Sequence, residues 1–131
     1  MNTINVSITT PNGSIFTGAL DEITLPGVDG EFGVLDQHSE IFTLLKAGVI
    51  EMKVDAHKTL IAINWGYARV HTESGSTRVD ILLDDAVLLD DTKGDVSANL
   101  QAAKDLLQSA SADSIALSGV ISQIENTIKV R

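Results

Sequence analysis

Turn-forming residues punctuate the first ~90 residues of this chain at intervals of roughly 8–12 residues, the spacing expected of a β-sandwich or barrel. Pro11-Asn12-Gly13, Lys46-Ala47-Gly48, Asp55-Ala56-His57-Lys58 and Glu73-Ser74-Gly75-Ser76 separate stretches of strand character. Between Ile4 and Thr9 the side chains alternate, with Ile4, Val6 and Ile8 apolar and Asn5, Ser7 and Thr9 polar, the mark of a half-buried strand. Ser14–Thr17, Ala19–Leu25, Phe42–Leu45, Val49–Val54, Thr59–Asn64, Thr77–Leu83 and Ala86–Leu89 read as further strands. Trp65–Val70 continues the strand before it, and Gly66 suggests a bulge or a close backbone approach.

The densest punctuation lies between Leu25 and His38. Pro26-Gly27 reads as a turn pair, because proline presets φ and glycine accepts a positive one. Gly30 and Gly33 bracket Glu31 and Phe32, which points to a shaped, surface-presented loop or to a plain long hairpin connection. Ile41, Phe42, Leu44 and Leu45, which follow it, read as buried.

Beyond Leu89 the character changes. Asp91–Asp95 reads as a linker, and Val96, Leu100, Ala103, Leu107 and Ala110 then step by four and three, forming one face of a helix. Asp95 is placed to cap it. Leu117, Val120, Ile121, Ile124 and Ile128 make a second stripe, so the two helices are expected to form an antiparallel hairpin, either one able to detach or a static cap over one sheet face. The expected fold is therefore α+β, an antiparallel β-sandwich over residues 1–89 followed by a two-helix hairpin over residues 90–131.

Composition removes several classes of function. A formal charge of -9 disfavours nucleic acid and anionic lipid, which demand a basic face. The absence of cysteine removes disulfides, thiolate metal sites and cysteine nucleophiles. His38, His57 and His71 lack metal-ligand spacing, and the paired carboxylates Asp21-Glu22, Asp84-Asp85 and Asp90-Asp91 are sequence neighbours that would point to opposite faces of a strand. There is no phosphate-binding glycine loop and no nucleophile elbow. No catalytic residue, cofactor or metal is expected. Trp65 and Tyr67 read as core positions, or as the lining of a small-molecule site in a stand-alone binding sandwich. A hydrolase would have to use Asp84 and Asp85.

Five segments in order resemble the epsilon subunits of F-type ATP synthases. They are Val6-x-Ile8-x-Thr10-Pro11 with Ile15-Phe16-x-Gly18; Leu25-Pro26-Gly27-x-x-Gly30-Glu31-Phe32-Gly33-Val34-Leu35-x-x-His38; Leu44-x-x-x-Gly48-Val49-Ile50; Gly66-Tyr67-Ala68-Arg69-Val70; and Gln101-Ala-Ala-Lys104. The resemblance implies a ten-stranded sandwich with a helical hairpin, in a non-catalytic rotor subunit of the central stalk. It implies a gamma partner and a membrane rotor ring, met by Asp29, Gly30, Glu31, Phe32 and His38. It also implies a hairpin able to reach the catalytic alpha and beta subunits and inhibit hydrolysis, and a location on the cytoplasmic face of the bacterial inner membrane. Inhibitory members carry several basic residues on the hairpin, whereas this chain offers Lys104, Lys129 and Arg131. The arginine of the family's ATP-binding element has no counterpart between Leu89 and Ser97.

Overall fold

A strand buried on one face repeats its apolar residues every second position, and this repeat sets the architecture. The computed structural model describes residues 3–35, 40–89 and 96–110. Its strands are β1 (Ile4–Thr10), β2 (Gly13–Leu20), β3 (Glu22–Gly27), β4 (Gly30–Val34), β5 (Ile41–Leu45), β6 (Gly48–Val54), β7 (His57–Ile63), β8 (Gly66–Glu73), β9 (Ser76–Leu83) and β10 (Ala86–Leu89), followed by the helix α1 (Val96–Ala110). The strands are ordered β10-β7-β6-β3-β5-β8-β9-β1-β2, with β4 on the other edge of β3.

This ribbon folds into two layers at β3. Glu22–Thr24 pair with β6, whereas Gly27 pairs with Leu45 of β5. One layer is β10-β7-β6-β3-β4 and the other is β5-β8-β9-β1-β2. Ile4, Val6, Ile8, Ile23, Leu25, Ile50, Ile61, Ile63, Val70, Val79 and Ile81 meet between them in one buried cluster. Burying aliphatic side chains of this size is worth about 1.5–3 kcal/mol each, which makes the inner face the main source of stability.

Pro26 lies within β3, not in a turn as its Pro-Gly context suggested. Its carbonyl accepts a hydrogen bond from the Lys46 backbone N–H at 2.9 Å. The N–H and C=O of a strand residue point to the same neighbour, so the donor that proline lacks falls at the seam where β3 leaves β6 for β5. A ladder bond is dispensable there. The turn itself is Val28-Asp29, between the paired residues Gly27 and Gly30.

Three other sequence expectations are corrected. Strand Ala19–Leu25 is broken at Asp21, whose N–H donates to the Lys53 carbonyl and whose Oδ2 accepts from the Asp55 N–H at 2.6 Å. The run through Trp65 is broken at Asn64-Trp65, where β7 turns into β8. The sandwich is also not wholly antiparallel, because β1 and β9 run parallel from Asn5↔Arg78 to Thr9↔Leu82. The turn at Ser74-Gly75 stands as read, and φ is 53° and 80° at its two central residues. Two positive φ angles in succession match the right-handed twist of the flanking strands. Gly66 stands as a close approach, since a Cβ there would overlap the Leu82 carbonyl oxygen.

The helix stripe is present, and it packs on the sheet. Ala103 and Leu107 are buried, with Leu100 beside them, against Val49, Leu60, Ala62 and Leu89 on the outer face of β6, β7 and β10. Gln101 Nε2 donates to Asp105 Oδ1 at 2.9 Å across one turn of the exposed side. The proposed second helix over 111–131, the linker 91–95 and the Asp95 cap lie outside the described residues.

Candidate partner-binding surfaces

The β3–β4 hairpin presents the residues that the sequence singled out. Gly30 takes φ 133°, a conformation that favours glycine, directly after the Val28-Asp29 turn. The Val28 N–H donates to the Leu44 carbonyl at 3.0 Å, so the tip is tied to β5. Gly27 leaves room for the Gly30 carbonyl and for the ring of Phe32, both of which lie about 3 Å from where a Cβ would sit. Phe32 turns inward and packs half-buried on the core, while Gly30 and Glu31 are exposed. The tip is thus a rigid projection carrying the carboxylates of Asp29 and Glu31, with Phe32 as its anchor. His38 lies outside the described residues; Val34, at the far end of β4, pairs with Ile23.

Four more turns share the end of the sandwich that carries this tip: Pro11-Asn12, Lys46-Ala47, Asn64-Trp65 and Asp84-Asp85. Asn64 organises two of them. Its Oδ1 accepts from the Trp65 and Asp85 backbone N–H groups at 2.8 and 2.9 Å, and its Nδ2 donates to Asp84 Oδ2 at 2.7 Å. Asp85 Oδ1 accepts from the Ala86 N–H. The two carboxylates are turn caps bound to different partners, not a coupled acid and base.

A second surface was missed in the sequence. Phe42, Leu44 and Trp65 are 63%, 53% and 54% exposed, although Phe42 and Leu44 read as buried and Trp65 as core. Side chains at alternate positions share a face, and the register aligns Leu44, Tyr67 and Leu82 across β5, β8 and β9, with Phe42, Arg69 and Asp80 in the next row. The rings of Phe42 and Tyr67 meet with centroids 5.4 Å apart, tilted by 35°. Pro11, Trp65, Tyr67 and Leu82 bound a hollow of about 170 Å³ at one margin. This face lies on the layer opposite to the one α1 covers.

Charged groups occupy its other margin. Asp80 Oδ2 is 2.9 Å from His71 Nε2, and Asp80 Oδ1 accepts from Arg78 Nε at 3.2 Å. His71 is buried and obtains its partner from the adjacent strand. Nothing in the sequence marks this pair, because it depends on the β8–β9 register.

Lys104 is half-buried on α1 and engaged in an interaction within the chain. Lys129 and Arg131 lie outside the described residues. Among the described residues there is no His, Asp and Glu group able to hold a metal, and no helix long and apolar enough to cross a membrane.

These features define a β-sandwich with an exposed apolar face and a cluster of turns at one end, and residues 3–89 match the family described as ATP synthase, Delta/Epsilon chain, beta-sandwich domain. The chain belongs to that family. Among its relatives is the ATP synthase epsilon chain of Helicobacter pylori strain ATCC 700392 / 26695, 46% identical over 126 residues, which cover 96% of this chain and 99% of the relative. The ATP synthase epsilon chain of Wolinella succinogenes is 40% identical, with 98% and 97% covered. A chain in the Euglena gracilis mitochondrial ATP synthase structure, comprising OSCP, F1 and c-ring, superposes with a TM-score of 0.62 at 26% identity, covering 98% of this chain and 76% of that one. A chain from the Tetrahymena thermophila central stalk and c-ring shares the fold at a TM-score of 0.56, with 12% identity, covering 82% of this chain and 95% of that one.

Proposed function

We propose that this protein is a non-catalytic central-stalk subunit of a proton-translocating F-type ATP synthase, held between gamma and the membrane rotor ring on the cytoplasmic face of a bacterial inner membrane. Its work is mechanical: it transmits rotation driven by proton flow, and a soft contact would dissipate torque. The observation that carries this reading is the patch of exposed Phe42, Leu44 and Leu82 around a half-buried Tyr67 on the β5–β8–β9 sheet. Aromatic and aliphatic side chains grouped in this way mark a protein interface. That face meets gamma, and the tip formed by Asp29, Gly30 and Glu31, anchored by Phe32 and with His38 following, meets polar loops of the ring.

The C-terminal segment bearing Lys104, Lys129 and Arg131 reaches the catalytic alpha and beta subunits when it leaves the sandwich, and restrains ATP hydrolysis there. The contact that α1 makes through Leu100, Ala103 and Leu107 is small enough to be reversible. A ligand-binding sandwich is the weaker alternative. The hollow beside Trp65 measures about 170 Å³, below the roughly 300 Å³ at which small-molecule pockets begin.

The test is reconstitution. Synthase depleted of this chain should lose coupling between proton movement and ATP synthesis, and adding the full chain should restore it. Synthase carrying the chain stopped after Leu89 should stay coupled and hydrolyse ATP severalfold faster. Full coupling without the chain would refute the rotor role, and unchanged hydrolysis after truncation would refute the inhibitory one.

A further inference from the structure

We infer that Arg69 sets the specificity of the β5–β8–β9 face by pairing with a carboxylate on the partner protein, a role that rests on the reading of this face as the gamma-docking surface. Arg69 is exposed in the middle of the outer row, directly across from Phe42 on one side and Asp80 on the other. Asp80 would be its natural partner, but both Asp80 oxygens are engaged, one by His71 and one by Arg78. Glu40, which lines the same cleft, turns its Oε2 toward the Thr72 backbone N–H at 3.4 Å. Among the described residues Arg69 therefore has neither a hydrogen-bond nor an ion-pair partner. It lines a cleft of about 260 Å³ with Glu40, Phe42 and His71.

An unpaired guanidinium beside exposed aromatics has the composition of an interface hot spot. Docking an apolar surface over Phe42 and Tyr67 would strip water from Arg69, and an uncompensated charge there is strongly unfavourable. The geometry thus asks for an acid on the incoming surface, seated in the cleft and bound by the planar fork of the guanidinium. The chain's formal charge of -9 disfavours a second copy of itself, since two like-charged copies repel. Lipid fails on the same ground.

The experiment measures binding of the full chain to purified gamma by calorimetry, with Arg69→Glu, Arg69→Lys and Phe42→Ser as variants. Wild type should bind one to one. Arg69→Glu should weaken binding by at least about 30-fold, and Arg69→Lys by less, because charge is kept and the fork is lost. A gamma variant with its facing acid changed to arginine should recover much of the affinity of Arg69→Glu. The melting temperature of free Arg69→Lys should stay near that of wild type, because among the described residues the side chain has no partner.

Absence of wild-type binding would overturn the gamma-docking reading itself. Loss of binding in Phe42→Ser with none in Arg69→Glu would keep that reading and overturn the role of Arg69. A stable dimer of the free chain that Arg69→Glu dissolves would assign the face to self-association instead.

Discussion

The ring of Phe32 lies over Gly27, its Cε1 3.0 Å from where a Cβ would stand, while the Gly30 carbonyl closes the same space from across the turn at 2.8 Å. The backbone oxygen cannot move without opening the hairpin. Gly27→Ala should therefore lower stability by about 1–3 kcal/mol, as overpacking at a fixed site does. Urea denaturation measures it. If the proposed ring contact is correct, coupling should suffer more than stability does, because the tip carrying Glu31 is displaced.

Asn64 ties two turns together with three hydrogen bonds. In Asn64→Ala these are lost, and the Asp85 N–H loses its partner at the mouth of the β9–β10 turn. A loss of about 1–3 kcal/mol is expected in denaturant melts. Asp84→Asn keeps an acceptor for Asn64 and should be nearly silent. A larger effect of Asp84→Asn on ATP turnover than on stability would contradict its structural role.

Among the described residues the helix is held on the sheet through Leu100, Ala103 and Leu107, of which Leu107 is the largest fully buried one. Leu107→Ala removes packing worth roughly 2–5 kcal/mol, but the penalty falls on the docked helix alone. Local opening should precede global unfolding. Trypsin should then cut after Lys104 much faster than in wild type, while the sandwich still melts at nearly its original temperature. Within the synthase, easier release of α1 should alter ATP hydrolysis.

Trp65 is the single tryptophan, more than half exposed at the margin of the proposed docking face. Its fluorescence in the free chain should be that of a solvated indole and readily quenched by iodide. Binding of gamma over Tyr67 and Leu82 should shift the emission to the blue and reduce quenching. An unchanged spectrum in a stable complex would place the contact elsewhere.

Much of the sandwich is legible in single strands. Ile4, Val6 and Ile8 alternate with polar residues and point inward as their period demands. The stripe through Leu100, Ala103 and Leu107 fits one side of a helix, and that side is the buried one. The β3–β4 tip was legible through clustered glycines, because a turn and a close approach leave a local trace, while a rotor-ring contact for its residues came from the family resemblance alone. The proposed docking face left no trace, since Ile41, Phe42, Leu44 and Leu45 are nearly continuous in hydrophobicity, and only Leu45 is buried.

By itself the sequence determined which segments are extended, where most of the chain reverses and which side of α1 is apolar. Those properties are local, set by alternation, φ preferences and residue type. Only the tertiary structure decided that β1 lies parallel to β9, that Pro26 sits harmlessly at a seam within a strand, and that α1 covers β6, β7 and β10. It alone decided that Asp80 is taken by His71 and Arg78. An apolar pattern states that a face must be covered. Which neighbour covers it depends on contacts distant in sequence, through register and layer order, and no local pattern encodes those.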